Sequence, residues 1–119
     1  MKQAERDLRI LRHVIEYCDQ IEETIARFGD SEVIFSEDKI YRNAAALCLL
    51  QIGELVGQLT DDFRQAPADV PWRQIRSVRN LVAHRYGTID PELAWEILQA
   101  DVPILKEKCV EILQTETAE

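Results

Sequence analysis

Residues 8–28, LRILRHVIEYCDQIEETIARF, place apolar side chains at steps of three and four along the chain. That spacing is the period of an α-helix with one apolar face, and it predicts a first helix from about Gln3 to Phe28. The sequence Gly29-Asp30-Ser31 is expected to end it. His13 lies off the apolar face, so we interpret it as a solvated or interface histidine rather than a metal ligand. The apolar face consists of Leu8, Leu11, Ile15, Cys18, Ile21, Ile25 and Phe28.

A second helix is predicted to run to about Leu59, with Ser36 as its N-cap and Val33–Phe35 as a short apolar link before it. Three consecutive alanines and Gly53 should let a neighbouring helix approach closely. Glu54 interrupts the apolar residues of this helix, and it either pairs with an arginine further along the chain or faces water. The predicted apolar face consists of Ile40, Ala44, Leu47, Cys48, Leu55, Val56 and Leu59.

Two more helices are predicted in the second half of the chain. The third covers about Pro71 to Arg85, because proline is favoured at the first helical position. Asp90 and Pro91 supply the N-cap and first residue of the fourth, which Pro103 should kink or divide. The predicted buried residues are Trp72, Ile75, Leu81 and either Val78 or Val82 on the third helix, and Leu93, Ile97, Leu98, Leu105, Cys109, Ile112 and Leu113 on the fourth.

These patterns predict an all-α protein, an antiparallel up-and-down bundle of four to five helices. Residues 1–119 should form a single domain with a frayed polar tail at 115–119. The longest uncharged apolar run, Ala44–Leu50, is too short to cross a membrane. The N-terminus lacks the pattern of a signal peptide, so we expect a cytoplasmic protein. Three cysteines lie among apolar residues without metal or redox spacing and are predicted to be structural: Cys18, Cys48 and Cys109.

The charge of the chain is unevenly distributed. A formal net charge of −8 argues against general coating of nucleic acid. Between Arg64 and Arg85, however, five arginines stand against one carboxylate, Asp69, which gives a local charge of +4. A basic patch on an acidic body predicts a focused anion site and leaves acidic surface for a basic partner.

The end of this basic segment reads Arg79-Asn80-Leu81-Val82-Ala83-His84-Arg85-Tyr86. Arg79 can hold a phosphate, His84 can move a proton, and Tyr86 offers a hydroxyl. Asn80 can orient His84 or donate to the phosphate, and Arg76, Asn80 and His84 form one polar stripe at spacings of four. No DxD, HExxH or Cys/His cluster indicates a metal, and no cofactor is expected.

Arg79 and His84 are five residues apart, so on one regular helix they point about 140° apart. Two copies of the helix packed across a two-fold axis would bring side chains of both chains into one cleft. Such a cleft suits RNA cleavage without a metal. One histidine takes the 2′-hydroxyl proton, the other protonates the leaving oxygen, and arginine stabilises the developing charge. From these residues alone, a structural role for the pair stays open.

The eight-residue motif resembles the Arg-x4-His-x-Tyr motif of HepT-like toxins, which belong to the HEPN superfamily of helical ribonucleases. The similarity extends from about Asp38 to Trp95, where the family often has a tryptophan. Three other stretches carry it in the family's order: Arg42-Asn43-Ala44 with Gln51-Ile52-Gly53-Glu54 in the second helix, Pro71-Trp72-Arg73-Gln74-Ile75 before the motif, and Tyr86-Gly87-Thr88-Ile89-Asp90 after it.

The resemblance implies an all-helical homodimer whose motifs meet at the interface, acting on RNA as a metal-independent endoribonuclease toxin. It implies that Arg79 and His84 are catalytic. It also implies a cognate MntA-like nucleotidyltransferase antitoxin, which transfers AMP from ATP to Tyr86 and so adds negative charge and bulk where RNA should enter. The supporting candidates are Asn80, Arg76 and Glu54, and Glu54 matches a family position without an assigned role.

Two other functions stay open at the level of sequence. A non-catalytic subunit that holds substrate or nucleotide for a separate nucleotidyltransferase fits the acidic body and the basic patch nearly as well. A purely structural dimer module leaves the stripe of Arg76, Asn80 and His84 unexplained.

Overall fold

A computed structural model of the protein describes residues 2–61, 63, 70, 72–73, 75 and 90–117. Regular structure in this part of the chain is helical throughout, which confirms the all-α prediction. None of the described helices is both long enough and apolar enough to span a membrane. In chain order the elements are α1 (Lys2–Phe28), α2 (Glu32–Glu37), α3 (Lys39–Gly57), α4 (Pro91–Glu96), a π-helical turn (Ile97–Asp101) and α5 (Val102–Thr117).

The first helix, α1, agrees with its prediction and packs along both α3 and α5. Leu11, Val14 and Cys18 are completely buried on its inner side. Gly29 ends the helix with a φ of 118°, and its N–H donates to the carbonyl of Ile25 at 2.8 Å. This left-handed conformation favours glycine because it carries no Cβ.

The predicted apolar link at Val33–Phe35 is wrong, because these residues form the middle of α2. Ser31 caps this helix by accepting a hydrogen bond from the N–H of Ile34. Phe35 is buried while Val33 is exposed. This difference is expected because residues two apart point to opposite sides of a surface helix. A helix of six residues is too short to display a helical period in the sequence.

The predicted N-cap of the second helix is also wrong, since Asp38 rather than Ser36 caps α3. One carboxylate oxygen of Asp38 accepts hydrogen bonds from the N–H groups of Ile40 and Tyr41, at 3.0 and 3.1 Å. A carboxylate there satisfies two free amides and complements the positive end of the helix dipole. Ser36 lies inside α2, where its carbonyl accepts a hydrogen bond from the Arg42 guanidinium.

Helix α3 has two apolar sides, of which only one enters the core. Ile40 and Leu47, predicted on the buried face, are 70% and 55% exposed, so that part of the prediction is wrong. The bundle instead buries the side that carries the small residues, since these allow α1 to pack closely. The buried residues of α3 are Tyr41, Ala45, Ala46, Cys48, Leu49, Ile52, Gly53 and Val56.

Two polar contacts define the antiparallel register of α1 and α3. Near one end, the carboxylate of Asp7 accepts hydrogen bonds from the N–H and the hydroxyl of Thr60, at 3.2 and 2.8 Å. Further along, the thiol of Cys48 lies 3.9 Å from the amide oxygen of Gln20. Asp7 is only 2% exposed, and each hydrogen bond to such a charged group contributes about 1.5–3 kcal/mol. The first turns of α1 therefore lie beside the point where the chain leaves α3.

An aromatic cluster closes the opposite end of the bundle. The ring of Tyr41 stacks on Phe28 at 4.9 Å between centroids and meets the edge of Phe35 at 5.0 Å. Trp95 lies 5.3 Å from Phe35, so the cluster joins α1, α2, α3 and α4. The Tyr41 hydroxyl donates to the carbonyl of Gly29 at 2.9 Å, which satisfies its polar end inside the cluster.

A π-helical turn interrupts the α-helical geometry of the fourth predicted helix just before Pro103, the residue expected to kink or divide it. Proline has no N–H, and its ring would clash with the Gln99 carbonyl in a regular α-helix. The π-helical turn before it avoids this clash, since the N–H of Val102 reaches back five residues to the carbonyl of Ile97. The wider turn lets one continuous helical rod carry α4 and α5 past the proline.

Lys106 links α5 to α1 across the bundle. Its ammonium lies 2.7 Å from a carboxylate oxygen of Asp19 and 3.0 Å from one of Glu22. These two hydrogen-bonded carboxylates raise the pKa of Lys106. Helix α5 then continues to Thr117 and so includes the first three residues of the stretch 115–119 that the sequence assigns to a frayed tail.

Candidate functional site

The predicted site residues of the third helix lie outside the described residues, so their roles stay predictions: Arg76, Arg79, Asn80, His84 and Tyr86. Three described residues belong to the same predicted helix and are helical: Trp72, Arg73 and Ile75. Trp72 and Ile75 are buried, which confirms them as core residues. Arg73 is exposed, so this guanidinium of the basic segment faces solvent.

A side-chain hydrogen bond to a backbone N–H lies on each side of the segment that carries the motif. On the entry side, the hydroxyl of Thr60 accepts a hydrogen bond from the N–H of Phe63 at 3.3 Å. On the exit side, the carboxylate of Asp90 accepts one from a first-turn amide of α4 at 3.0 Å, and Pro91 begins that helix, as predicted. The described residues that flank the arginine-rich segment are therefore held by hydrogen bonds of their own.

Glu54 is the one supporting candidate that lies within the described residues. It is half-buried on α3 and engaged in an interaction, so it does not stand on a fully wetted face. At steps of four and three it shares a stripe of the helix with residues on the side away from the core. We call this stripe, composed of Ile40, Ala44, Leu47, Gln51 and Glu54, the α3 outer stripe.

The cysteines have the properties of core residues, as the sequence predicts. All three are free and buried. Burial raises the pKa of the Cys18 thiol to about 12, with a further contribution from the Asp19 carboxylate. Burial likewise raises the pKa of Cys109 to about 12 and raises that of Cys48. A catalytic or redox cysteine needs the opposite shift, toward the thiolate.

An open groove of about 530 Å³ lies beside the start of α4. It is lined by Glu32, Asp90, Glu92, Leu93, Trp95 and Glu96. Four carboxylates around one tryptophan repel phosphate, so this groove does not suit an RNA strand. It is acidic surface of the kind that the charge distribution predicts for a basic partner.

Metal ligands are not grouped in the described part of the chain, where no three Asp, Glu, His or Cys residues could hold one ion. His13 is exposed on α1, and its ring nitrogen lies 3.3 Å from a carboxylate oxygen of Glu16. This exposure agrees with the prediction of a solvated or interface histidine.

Comparison with known protein families matches residues 14–112 to the family described as "Ribonuclease HepT-like". The chain belongs to the HepT-like ribonuclease family. The match begins in α1, ends in α5 and includes the whole motif segment. It confirms the resemblance to HepT-like ribonucleases that the sequence predicts.

Three of the relatives found each cover about nine tenths of the chain. "Putative RNase TTE0752" of Caldanaerobacter subterraneus subsp. tengcongensis is 31% identical over 89% of this chain and 93% of its own length. "Putative RNase MJ1380" of Methanocaldococcus jannaschii is 32% identical over 92% and 99%. "Probable ribonuclease HepT" of Thermococcus cleftensis is 29% identical over 91% and 94%. No solved structure matches the chain.

In this HepT-like chain, sequence reasoning missed Asp7 as the residue that holds Thr60, just after the end of α3, against α1. Its signal was present, because Asp7 precedes Leu11, Val14 and Cys18 at steps of four, three and four. That spacing places its carboxylate on the buried side of α1. A buried carboxylate requires hydrogen-bond donors, and Thr60 supplies two of them.

The raised thiol pKa values predict that the native protein resists thiol reagents. At pH 8 a group with a pKa of about 12 is ionised to about one part in ten thousand, and burial also blocks access. With 5,5′-dithiobis(2-nitrobenzoate), we expect almost no rapid release of thionitrobenzoate from folded protein and three equivalents after unfolding in guanidinium. Rapid modification of any cysteine under native conditions would contradict the structural assignment.

Proposed function

We propose that the protein is a metal-independent endoribonuclease toxin whose site forms between two copies of the chain. The observation that carries this proposal is membership of the HepT-like ribonuclease family over residues 14–112 together with an unbroken motif at Arg79–Tyr86. RNA is the substrate class that follows from the family. The remaining features of the proposal come from the chemistry of the motif and from the surface of the described helices.

The proposed chemistry uses two histidines and needs no metal ion. One His84 removes the proton from a ribose 2′-hydroxyl, whose oxygen attacks the adjacent phosphorus and closes a 2′,3′-cyclic phosphate. The second His84 protonates the departing 5′ oxygen, so the proton count balances over the step. Arg79 donates to the phosphate oxygens and stabilises the charge that develops there. Asn80 and Arg76, on the same stripe as His84, are proposed to orient the imidazole and the phosphate.

The α3 outer stripe supports pairing of two chains. Ile40 and Leu47 are large aliphatic residues left in water, and the smaller Ala44 between them permits close approach. Burying a fully exposed side chain of this kind contributes about 1.5–3 kcal/mol. A two-fold contact buries the same residue once in each of the two chains. Glu54 lies on the same stripe, so pairing along it brings the Glu54 residues of both chains toward the shared face.

The charge distribution supports RNA as the substrate and modification of Tyr86 as the means of regulation. Outside the basic segment the chain is strongly acidic, and carboxylates line the groove beside α4. RNA is therefore attracted to the basic segment and repelled by the acidic groove beside α4. Transfer of AMP to Tyr86 by an MntA-like nucleotidyltransferase would add a phosphate and an adenine next to His84. Such added charge opposes entry of the RNA backbone and gives the antitoxin a means of control.

Purified protein produced without its antitoxin should cleave RNA in the presence of EDTA. His84→Ala and Arg79→Ala should each lower kcat at least about 100-fold, because each removes a group that acts in the transition state. His13→Ala and Arg27→Ala are matched controls, since both residues are exposed on α1, and they should keep parental activity. Cleavage products are measured by gel electrophoresis and folding by circular dichroism.

Parental cleavage by both His84→Ala and Arg79→Ala would refute the catalytic assignment. A stable complex with the nucleotidyltransferase, combined with no RNA cleavage at any concentration, would instead favour a non-catalytic binding subunit.

Co-expression with a cognate nucleotidyltransferase should increase the intact mass of the protein by one or more AMP units. The addition should disappear in Tyr86→Phe and persist in Tyr17→Phe, which removes the same hydroxyl from a half-buried tyrosine of α1. Mass spectrometry of the purified chain checks this. An unchanged mass for the parent, or equal modification of Tyr86→Phe, would refute modification of Tyr86.

Leu47→Glu should dissociate the dimer. It replaces a 55% exposed leucine of the α3 outer stripe with a charge that the two-fold contact would bury, so the dissociation constant should rise about 100-fold or more. Ile104→Glu is the matched control, since Ile104 is 43% exposed on α5, away from the stripe. Sedimentation velocity over a dilution series distinguishes the variants. A Leu47→Glu protein that stays dimeric would mean that the chains pair through another surface.

A further inference from the structure

The exposed side of α1 changes sign along its length. Its first half carries three exposed arginines, Arg6, Arg9 and Arg12, at spacings of three. The carboxylates in that half are Glu5, which is exposed, and Asp7, which is buried against Thr60. The second half carries four exposed carboxylates: Glu16, Asp19, Glu22 and Glu23. The helix is therefore basic at one end and acidic at the other, although the chain as a whole is acidic.

The arginines in the first half of α1 differ from Arg27 and Lys106 in what they contact. Arg27 pairs with Glu23 at 2.7 Å, and Lys106 is held between two carboxylates of α1. Arg6, Arg9 and Arg12, in contrast, make no hydrogen bond or ion pair with the described part of the chain. We call these three residues the α1 basic strip. Their donors are available to a ligand.

The α1 basic strip lies at the end of the bundle where the arginine-rich segment begins. The hydrogen bonds from Thr60 to Asp7 bring these turns of α1 beside the chain as it leaves α3. The first arginine of the basic segment, Arg64, follows Thr60 by only four residues. The strip therefore lies beside the point from which the chain continues toward the arginine-rich segment.

The composition of the strip identifies the kind of ligand it fits. The exposed large hydrophobic residues in the described part of the chain are Val33, Ile34, Ile40, Leu47, Leu93 and Ile104, all outside α1. A protein interface normally needs an apolar centre, which the strip lacks. Guanidinium groups separated by about 4.5 Å of helix rise suit a chain of phosphates instead.

We infer that the α1 basic strip binds backbone phosphates of single-stranded RNA outside the scissile bond. This inference rests on the proposed ribonuclease function and extends it to substrate length. Each phosphate contact releases condensed counterions, so the strip strengthens binding of long RNA and makes that binding sensitive to salt. It contributes nothing to a dinucleotide, which spans only the phosphate that is cleaved.

The test compares Arg9→Gln/Arg12→Gln with Arg27→Gln, each prepared in the parent and in the non-cleaving His84→Ala protein. Glutamine keeps much of the side-chain length and has similar helix propensity, so the change is mainly one of charge. Binding of a labelled single-stranded RNA to the His84→Ala proteins is measured by fluorescence anisotropy from 50 to 300 mM salt. Cleavage of a long RNA and of a dinucleotide is measured with the parent series.

The double variant should bind the long RNA about tenfold more weakly at 0.15 M salt, and the slope of log affinity against log salt should become shallower by about 1.4. Its KM for long RNA should rise by a similar factor while kcat stays within about twofold, and dinucleotide cleavage should not change. Arg27→Gln should match the protein from which it is made in all of these measurements.

If the double variant keeps its affinity for long RNA and its salt slope, while the parent still cleaves RNA, the inference is overturned. The proposed ribonuclease function is unaffected by that result. Weaker binding in the double variant without cleavage by any protein would support the strip and refute the nuclease. Loss of the complex with the nucleotidyltransferase at unchanged RNA affinity would assign the strip to a protein partner and also overturn the inference.

Discussion

The close antiparallel packing of α1 against α3 is the constraint on which the rest of the structure depends. Leu11 and Val14 on one helix, with Leu49 and Ile52 on the other, are fully or almost fully buried. The small residue Ala45 lies among them and lets the backbones approach. Once these faces are buried, the orientation of each helix about its own axis is fixed. The outer sides of both helices are then determined as well.

Those outer sides carry the groups that the proposed function requires. The outer side of α3 presents Ile40 and Leu47, which suit contact with a second copy of the chain. The outer side of α1 presents arginines at the end where Asp7 holds Thr60. The proposed dimer contact and the proposed RNA contact thus both depend on the buried packing of α1 against α3. A substitution deep in that packing would disturb both together.

The sequence predicted the elements whose signals are strong and local. A long run of apolar residues at helical spacing defined α1, and the pair Asp90 and Pro91 defined the start of α4. Family resemblance identified the ribonuclease class through residues spread over most of the chain, and the family match confirms it. Periodicity could not predict α2, because six residues contain fewer than two turns.

Other features depend on tertiary packing, which a single sequence does not display. Helix α3 is apolar on two sides, so periodicity alone could not decide whether Leu47 or Leu49 enters the core. The choice follows from the small residues that α1 packs against. Asp38 rather than the predicted Ser36 caps α3 because α2 continues to Glu37. The motif residues lie outside the described part of the chain, so their roles still rest on sequence and chemistry.

The central claim is that each active site needs His84 from both chains, and subunit mixing tests it directly. Parent and His84→Ala chains are unfolded together, refolded at varied ratios and assayed for RNA cleavage at constant total protein. A shared site predicts that activity follows the square of the parental fraction, so an equal mixture retains about one quarter of full activity. A linear dependence, with about one half retained, would show that each chain carries a complete site of its own and would contradict the account.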